Sequence, residues 1–196
     1  MPFSTDLHVM AAPARAYAEA VRCPASGRWL PVRRPALVAL VLGAGSAFSS
    51  TGHLTLGLLL SGFACWSFVP LLQMATAAAI MRSPSSSTLS AARRLDLWFM
   101  GHAPWSLWIF GATLAMGIAP GWLRVEWPII AAAVVPMVWT TIIAAAFCRV
   151  VLGDSRNTAI ARTALHQAVT WTIALLYVGW AVALWPRIVA FAEGRG

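Results

Sequence analysis

Residues 54–81 read LTLGLLLSGFACWSFVPLLQMATAAAIM, and this stretch decides the fold class. It carries no charged side chain from Leu54 to Met81. A helix rises about 1.5 Å per residue, so roughly 20 apolar residues cross a hydrocarbon core of about 30 Å. The run exceeds that and predicts a membrane-spanning helix, tilted or kinked at Pro70. It cannot be one strand, since strands are usually about 5–6 residues long. In lipid every backbone amide needs a partner within its own segment, which a helix supplies.

Four other apolar runs flank it. One precedes it, from about Ala36 to Ser50 (ALVALVLGAGSAFSS), short for a bilayer unless Leu30 to Pro35 extends it. Thr51-Gly52-His53 makes the turn between the two. The others run from about Ala103 to Ala119, from Trp127 to about Val151, and from about Leu165 to Trp185. Composition agrees: of 196 residues, 60% are hydrophobic and only 10% charged, with a mean hydropathy of +0.74. Soluble domains are about 45–50% apolar and about 25% charged, so this chain has too little charge to cover a watery surface. The expected fold is all-α, a five-span transmembrane bundle over 35–186. Residues 1–34 form a cytoplasmic amphipathic helix and Pro/Arg linker, and 187–196 a short outer tail.

Arginine sets the orientation. All 14 basic residues are Arg, which with abundant Ala, Gly and Pro reads as the codon usage of a GC-rich, most simply bacterial, genome. Arg15, Arg22, Arg28, Arg33 and Arg34 precede the first run; Arg82, Arg93 and Arg94 follow the second; Arg149, Arg156 and Arg162 follow the fourth. Those eleven fall on one side, and Arg124, Arg187 and Arg195 on the other. Positive loops stay cytoplasmic. The N-terminus is therefore expected inside and the C-terminus outside, in a bacterial inner membrane. Five Arg ahead of the first apolar run argue against a cleaved leader. The net charge of +8 lies in loops between spans, so no nucleic-acid partner is expected.

Trp29, Trp98, Trp122, Trp127, Trp171 and Trp185 lie near predicted span ends, where indoles favour the headgroup layer. Trp66, Trp105, Trp108, Trp139 and Trp180 fall deeper and are read as packing between helices. Two segments look helical without spanning. Ala14, Tyr17, Ala18 and Val21 share one face of the first, opposite Arg15, Glu19 and Arg22, with Pro13 in its first turn. In the second, after a flexible SPSSST (Ser83 to Thr88), the segment LSAARRLDLWFM places Leu95, Trp98, Phe99 and His102 on one stripe, the pattern of an interfacial helix. The small-residue pairs Gly57/Ser61, Gly111/Ala115, Gly117/Gly121 and Gly179/Ala183 suit close helix packing.

The spans lack Asp, Glu, Lys and Arg in their middles, and Gln73 is the most polar side chain there. A central charge costs roughly 2.5–3.5 kcal/mol and is kept for function, so its absence argues against an ion-coupled pump. Cys23, Cys65 and Cys148 have no metal-type spacing. No phosphate loop, His-Glu-x-x-His, Gly-x-Ser-x-Gly or Cys-x-x-Cys occurs, and no enzyme is expected. The densest polar string is Arg93-Arg94-Leu95-Asp96, then His102. Arg93 and Arg94, with Arg33 and Arg34, are expected to hold anionic headgroups. Asp96 and His102, six residues apart, share a ligand only if the helix breaks between them. His166 begins the fifth span at the depth of His102, and two such imidazoles can hold a haem iron, or one a pigment magnesium.

The segment His8-Val9-Met10-Ala11-Ala12-Pro13-Ala14-Arg15-Ala16-Tyr17, a Pro/Arg linker and five spans with N-in and C-out resemble the Yip family of Ypt/Rab-interacting membrane proteins and its bacterial relatives. That resemblance implies membrane organisation or trafficking rather than catalysis. Three readings of function follow. The first is a non-catalytic scaffold, assembly factor or accessory subunit, partnered by lipids and by other subunits or its own copies. The second is a small-solute permease or channel lined by Ser46, Ser49, Gln73, Thr76 and Thr140. The third is a haem or pigment carrier using His102 and His166; no other cofactor is expected.

Overall fold

The computed structural model describes residues 4–23, 29–82, 87–118 and 131–192. Among them all regular structure is helical: α1 (Ser4–Ala11), α2 (Pro13–Arg22), α3 (Leu30–Thr51), α4 (Leu56–Trp66), α5 (Phe68–Ile80), α6 (Ala91–Met100), α7 (Ala103–Ile118), α8 (Val134–Val150) and α9 (Arg156–Ala192). The expectations on Arg28, on Ser83 to Ser86, and on Gly121, Trp122, Arg124, Trp127 and Arg195 lie outside the described residues.

The decisive stretch folds as α4 and α5, a nearly continuous helical segment. Leu56–Ile80, 25 residues with mean hydropathy 1.6, is the one helix among the described residues long and apolar enough to cross a membrane. The interruption falls at Ser67, one turn before Pro70. Pro70 lacks an N–H and its ring crowds the carbonyl four residues earlier, so the ladder opens there. Leu56, Leu60 and Leu71 point outward, as do Phe110 on α7, Val135 and Ile142 on α8, and Leu175 and Leu176 on α9.

α3 is longer than its apolar run. Leu30 to Pro35, the extension that the short run left open, forms its first turns, with a proline at the first turn, where a missing N–H costs nothing. Gly52, at φ 72°, ends α3 and returns its N–H to Phe48 O at 2.8 Å. Only glycine adopts that conformation without a Cβ penalty. Thr55 then caps α4, accepting from Leu58 N at 3.2 Å. The two helices of this hairpin meet backbone to backbone. A Cβ on Gly62 would lie 2.5 Å from Gly43 O, and one on Gly43 would collide with Gly62 and Phe63. Gly45 gives α7 similar access, 2.8 Å from Thr113 Oγ1. Close packing thus uses Gly43, Gly45 and Gly62. At Gly111 and Gly179 an added Cβ meets nothing within 4 Å, and at Gly57 only Thr55 Oγ1 at 4.0 Å.

One end of the bundle holds the core. The start of α3, the end of α5, the end of α8 and the start of α9 gather there around α1, α2 and α6. Tyr17 stands edge-on to Phe147 (centroids 5.6 Å), and Trp98 meets the same ring at 5.1 Å. On α2 the buried face is Ala16, Tyr17 and Ala20, while Ala14 is exposed. Arg15 and Glu19 pair at 2.9 Å on the outer face. α6, expected to lie on a membrane surface, is instead inside: Leu97, Trp98, Phe99 and Met100 are all buried. It sits among α1, α3, α5 and α8, and Trp98 is consequently a core residue. α9 runs well beyond the predicted fifth span at both ends. Arg162 near its start pairs with Asp154 at 3.2 Å and donates to the carbonyl of Ile80, joining it to α5.

Candidate functional site

Helices α3 to α9 all contribute to a partly open cavity of about 470 Å³, within the range of small-molecule sites. It exists because the bundle is held open by bulk. Trp105 packs on Trp108 at 5.8 Å and on Trp171 at 5.6 Å, and Trp66 marks the α4–α5 break. Val38, Leu42, Leu72 and Ile109 continue the lining, and among the described residues none that lines it is Asp, Glu, Lys or Arg.

The polar part of the wall is assembled from three helices. Thr76 Oγ1 donates to Leu72 O at 2.9 Å, the usual threonine bond back along a helix. It receives a hydrogen bond from Thr170 Oγ1 at 3.2 Å and faces His166 Nε2 at 3.0 Å. Thr170 Oγ1 lies 3.4 Å from the same nitrogen, so two hydroxyls contact His166 Nε2. Trp98 stands edge-on to the His166 ring (4.6 Å, 67°), and Phe99 stacks on His102 (4.6 Å, 19°). Three cavity-lining residues carry buried polar atoms without a partner among the described residues: Gln73 Oε1, Trp98 Nε1 and His166 Nδ1. Each such atom costs about 1–3 kcal/mol and is too deeply buried to face the open space of the cavity.

Beside this wall, two residues before Trp98, lies a cage of arginines. Asp96 is fully buried. Arg33 grips it with Nε at 3.0 Å and Nη2 at 2.9 and 3.1 Å. Arg34 Nη1 reaches Oδ1 at 2.7 Å and the Asp96 carbonyl at 3.1 Å. Arg93 Nη1 reaches Oδ2 at 2.7 Å, while its Nη2 donates to Ala20 O at 2.8 Å. Ala20 lies in the last turn of α2, whose carbonyls have no helical partner and form the negative end of its dipole. Burial pushes the pKa of Arg93 below its ordinary value, opposed by the Asp96 charge and hydrogen bond. One carboxylate thus fastens α2, α3 and α6 together.

No family model, curated protein or solved structure matches this chain.

Geometry alone therefore weighs the residues singled out in the sequence. His102 and His166 line the same cavity, together with Ser46, Ser49, Gln73 and Thr140; Thr76 stands behind His166. Arg34 and Arg93, expected at lipid headgroups, are buried on Asp96, and Arg33 reaches the same carboxylate while a third exposed. Arg94 is separate and donates to Leu89 O at 3.0 Å. α6 does end between Asp96 and His102, at Met100, but Asp96 belongs to the cage and His102 to the cavity. His53 bonds its own turn at Thr51 O (2.9 Å), and His8 lies 3.7 Å from Glu19. Trp98, Trp105, Trp171 and Thr170 belong to the site without having been expected there. The spacing of His166 and Thr170, one helical turn apart, was the available signal.

As a metal centre the cavity is poorly equipped. Among the described residues no group of three or more His, Cys, Asp or Glu converges. His166 Nε2 contacts the hydroxyls of Thr76 and Thr170, and among the described residues no Arg or Lys lines the cavity. What the arrangement can do is offer a mostly apolar space to an uncharged molecule of modest size.

Proposed function

We propose that this chain is a five-span protein of a bacterial inner membrane that holds a small, mostly apolar molecule within its bundle, as a non-catalytic carrier or accessory subunit. The observation that carries the reading is the 470 Å³ cavity walled by Trp66, Trp98, Trp105, Trp108 and Trp171 and lined mostly by apolar surface. A core packed only for stability would fill such a space to the density of protein interiors.

Several features support the membrane setting and its orientation. The start of α3, end of α5, end of α8 and start of α9 share one end of the bundle, as alternating spans require. Arg33, Arg34, Arg93, Arg149, Arg156 and Arg162 belong to the helix segments at that end, in keeping with a cytoplasmic location. The outward leucine, valine and isoleucine side chains suit hydrocarbon rather than water.

The test is ligand linkage. Protein stripped of bound small molecules in detergent is expected to gain thermal stability when a neutral-lipid extract of its own membrane is returned, because a ligand that binds only the folded state stabilises it. The variant Ala112→Trp, which fills the cavity from α7, is expected to gain nothing. Equal gains for both proteins would remove the proposal.

The haem or pigment reading keeps one supporting observation, two histidines on one cavity. An absorption band from the purified protein, diminished in His166→Leu, would favour it over an uncoloured ligand.

A further inference from the structure

The shape of the cavity specifies its ligand further, and we infer that it takes one extended hydrocarbon chain of an uncharged membrane lipid, inserted from the end opposite the arginine cage with the polar group left at the mouth. The inference rests on the proposal that the cavity holds a mostly apolar molecule, and it names the class.

Length comes first. Lining residues run from Val38 to Ser49 on α3, from Trp105 to Thr113 on α7 and from His166 to Ala174 on α9. At about 1.5 Å per residue these stripes are about 16, 12 and 12 Å long, so the space follows the helix axes for two to three turns. A volume of about 470 Å³ spread over about 16 Å leaves a mean section of about 30 Å². Non-bonded carbons settle about 4 Å apart, so one methylene chain takes roughly 16–20 Å² and two abreast roughly 32–40 Å². The slot therefore admits a single chain. Gly45 keeps it narrow, because it lets α3 approach α7 until an added Cβ would lie 2.8 Å from Thr113 Oγ1.

The two ends differ. Trp98, His102 and His166, towards the arginine cage, are buried, and Trp98 backs onto Phe147, which Tyr17 covers in turn. Ser49, at the far end of the α3 stripe, is exposed. A chain thus enters past Ser49 and stops at Trp98. Among the described residues none lining the cavity is Asp, Glu, Lys or Arg, so an ionised headgroup finds no counter-charge there. C–C bonds of about 1.52 Å at about 111° advance an extended chain about 1.25 Å per carbon, so roughly 12–16 Å holds about 10–13 carbons.

The experiment uses the full protein, stripped of lipid, in micelles of a fluorinated surfactant, whose own chains mix poorly with hydrocarbon. The probes are n-alkanes from hexane to hexadecane, adamantane as the compact counterpart of decane, 1-O-dodecylglycerol as an uncharged lipid and dodecyl phosphate as a charged one. Binding is the saturable uptake after subtracting protein-free micelles, with affinity referred to the concentration dissolved in the micelle. Affinity is expected to rise at least tenfold from hexane to dodecane, at one per protein molecule, and to level off beyond about 13 carbons because further methylenes protrude. Adamantane is expected to bind at least tenfold more weakly than decane, and dodecylglycerol within threefold of dodecane. Ser106→Leu, in the first turn of α7, shortens the slot at its closed end and is expected to move the plateau two or three carbons shorter. Should that variant not fold, the wild-type series decides alone. If adamantane matches decane, or affinity climbs through hexadecane without a plateau, the single-chain assignment falls while the cavity remains a binding site. If dodecylglycerol fails where dodecane binds, the lipid source falls. Tighter binding of dodecyl phosphate than of dodecylglycerol overturns the uncharged class. If no probe saturates, the assignment and the proposal beneath it both fall.

Discussion

Replacing Asp96 with Asn removes a charge from the arginine cage and almost nothing else. The change is nearly isosteric, so it leaves no cavity. In the wild type that charge is shared by five side-chain contacts of 2.7–3.1 Å from Arg33, Arg34 and Arg93. The side chains of Arg34 and Arg93 are only 9% and 5% exposed, whereas Arg33 is 37% exposed. Arg33 can turn to water, so its share is discounted to the scale of a surface pair, about 0–1 kcal/mol. The other two cannot, and removing one partner of a buried ion pair costs about 3–5 kcal/mol. Asp96→Asn should therefore lose about 3–5 kcal/mol, a shift of two to more than three decades in the folding equilibrium at about 1.4 kcal/mol per decade. The assay is thiol alkylation in mild detergent. Cys23 is exposed and Cys148 is buried, while Cys65 faces outward from the apolar segment Leu56–Ile80, so a rapid burst from Cys23 should precede a slow Cys148 phase that reports unfolding. Asp96→Asn should speed that slow phase steeply, while Arg33→Gln changes it little. A slow phase within twofold of wild type would refute the buried cage.

Other outcomes follow from single contacts. Gly62→Val should prevent the α3–α4 hairpin from closing, costing about 1–3 kcal/mol or more as overpacking does, while Gly179→Ala, with open space around its Cβ, should fold as wild type; yield of monodisperse protein separates them. Tyr17→Ala should cost about 3–5 kcal/mol, the range for a large aromatic truncated in a core, read by the same Cys148 phase, because Tyr17 covers Phe147. A C-terminal alkaline phosphatase fusion should be active and one after Arg94 inactive, as N-in and C-out require; the reverse would overturn the orientation. Thr76→Val should remove the nearer hydroxyl partner of His166 Nε2, leaving Thr170 Oγ1 at 3.4 Å, and cost about 1 kcal/mol, as the loss of one buried hydrogen bond does, read by the same Cys148 phase.

The helical class was legible because it depends on sums. Residues 54–81 are apolar over a length that no soluble strand or ordinary helix needs, and no partner is required to see it. Tyr17 and Val21 on the packed side of α2 and the Arg15–Glu19 pair followed from periodicity alone. Convergence was not legible. Asp96 lies 63 residues from Arg33, and nothing local shows that three guanidinium groups meet on it; with no partner in view, an arginine near a span is assigned to headgroups. The same limit applied to Ser46, Ser49, Gln73, Thr140, His102 and His166, whose polarity is visible one residue at a time, whereas the common cavity is a property of how α3, α5, α7, α8 and α9 cross. Gly43 and Gly62 form a pair across two helices, and spacing along a single helix shows only the pairs within it.

The central claim, that the bundle holds a molecule, is tested most directly by extracting protein purified from its native membrane in mild detergent and quantifying neutral small molecules by mass spectrometry. Wild type should yield one species near one equivalent per chain, absent from an equally stable Ala112→Trp preparation. The same neutral compounds, in the same amounts, from both proteins would contradict the account.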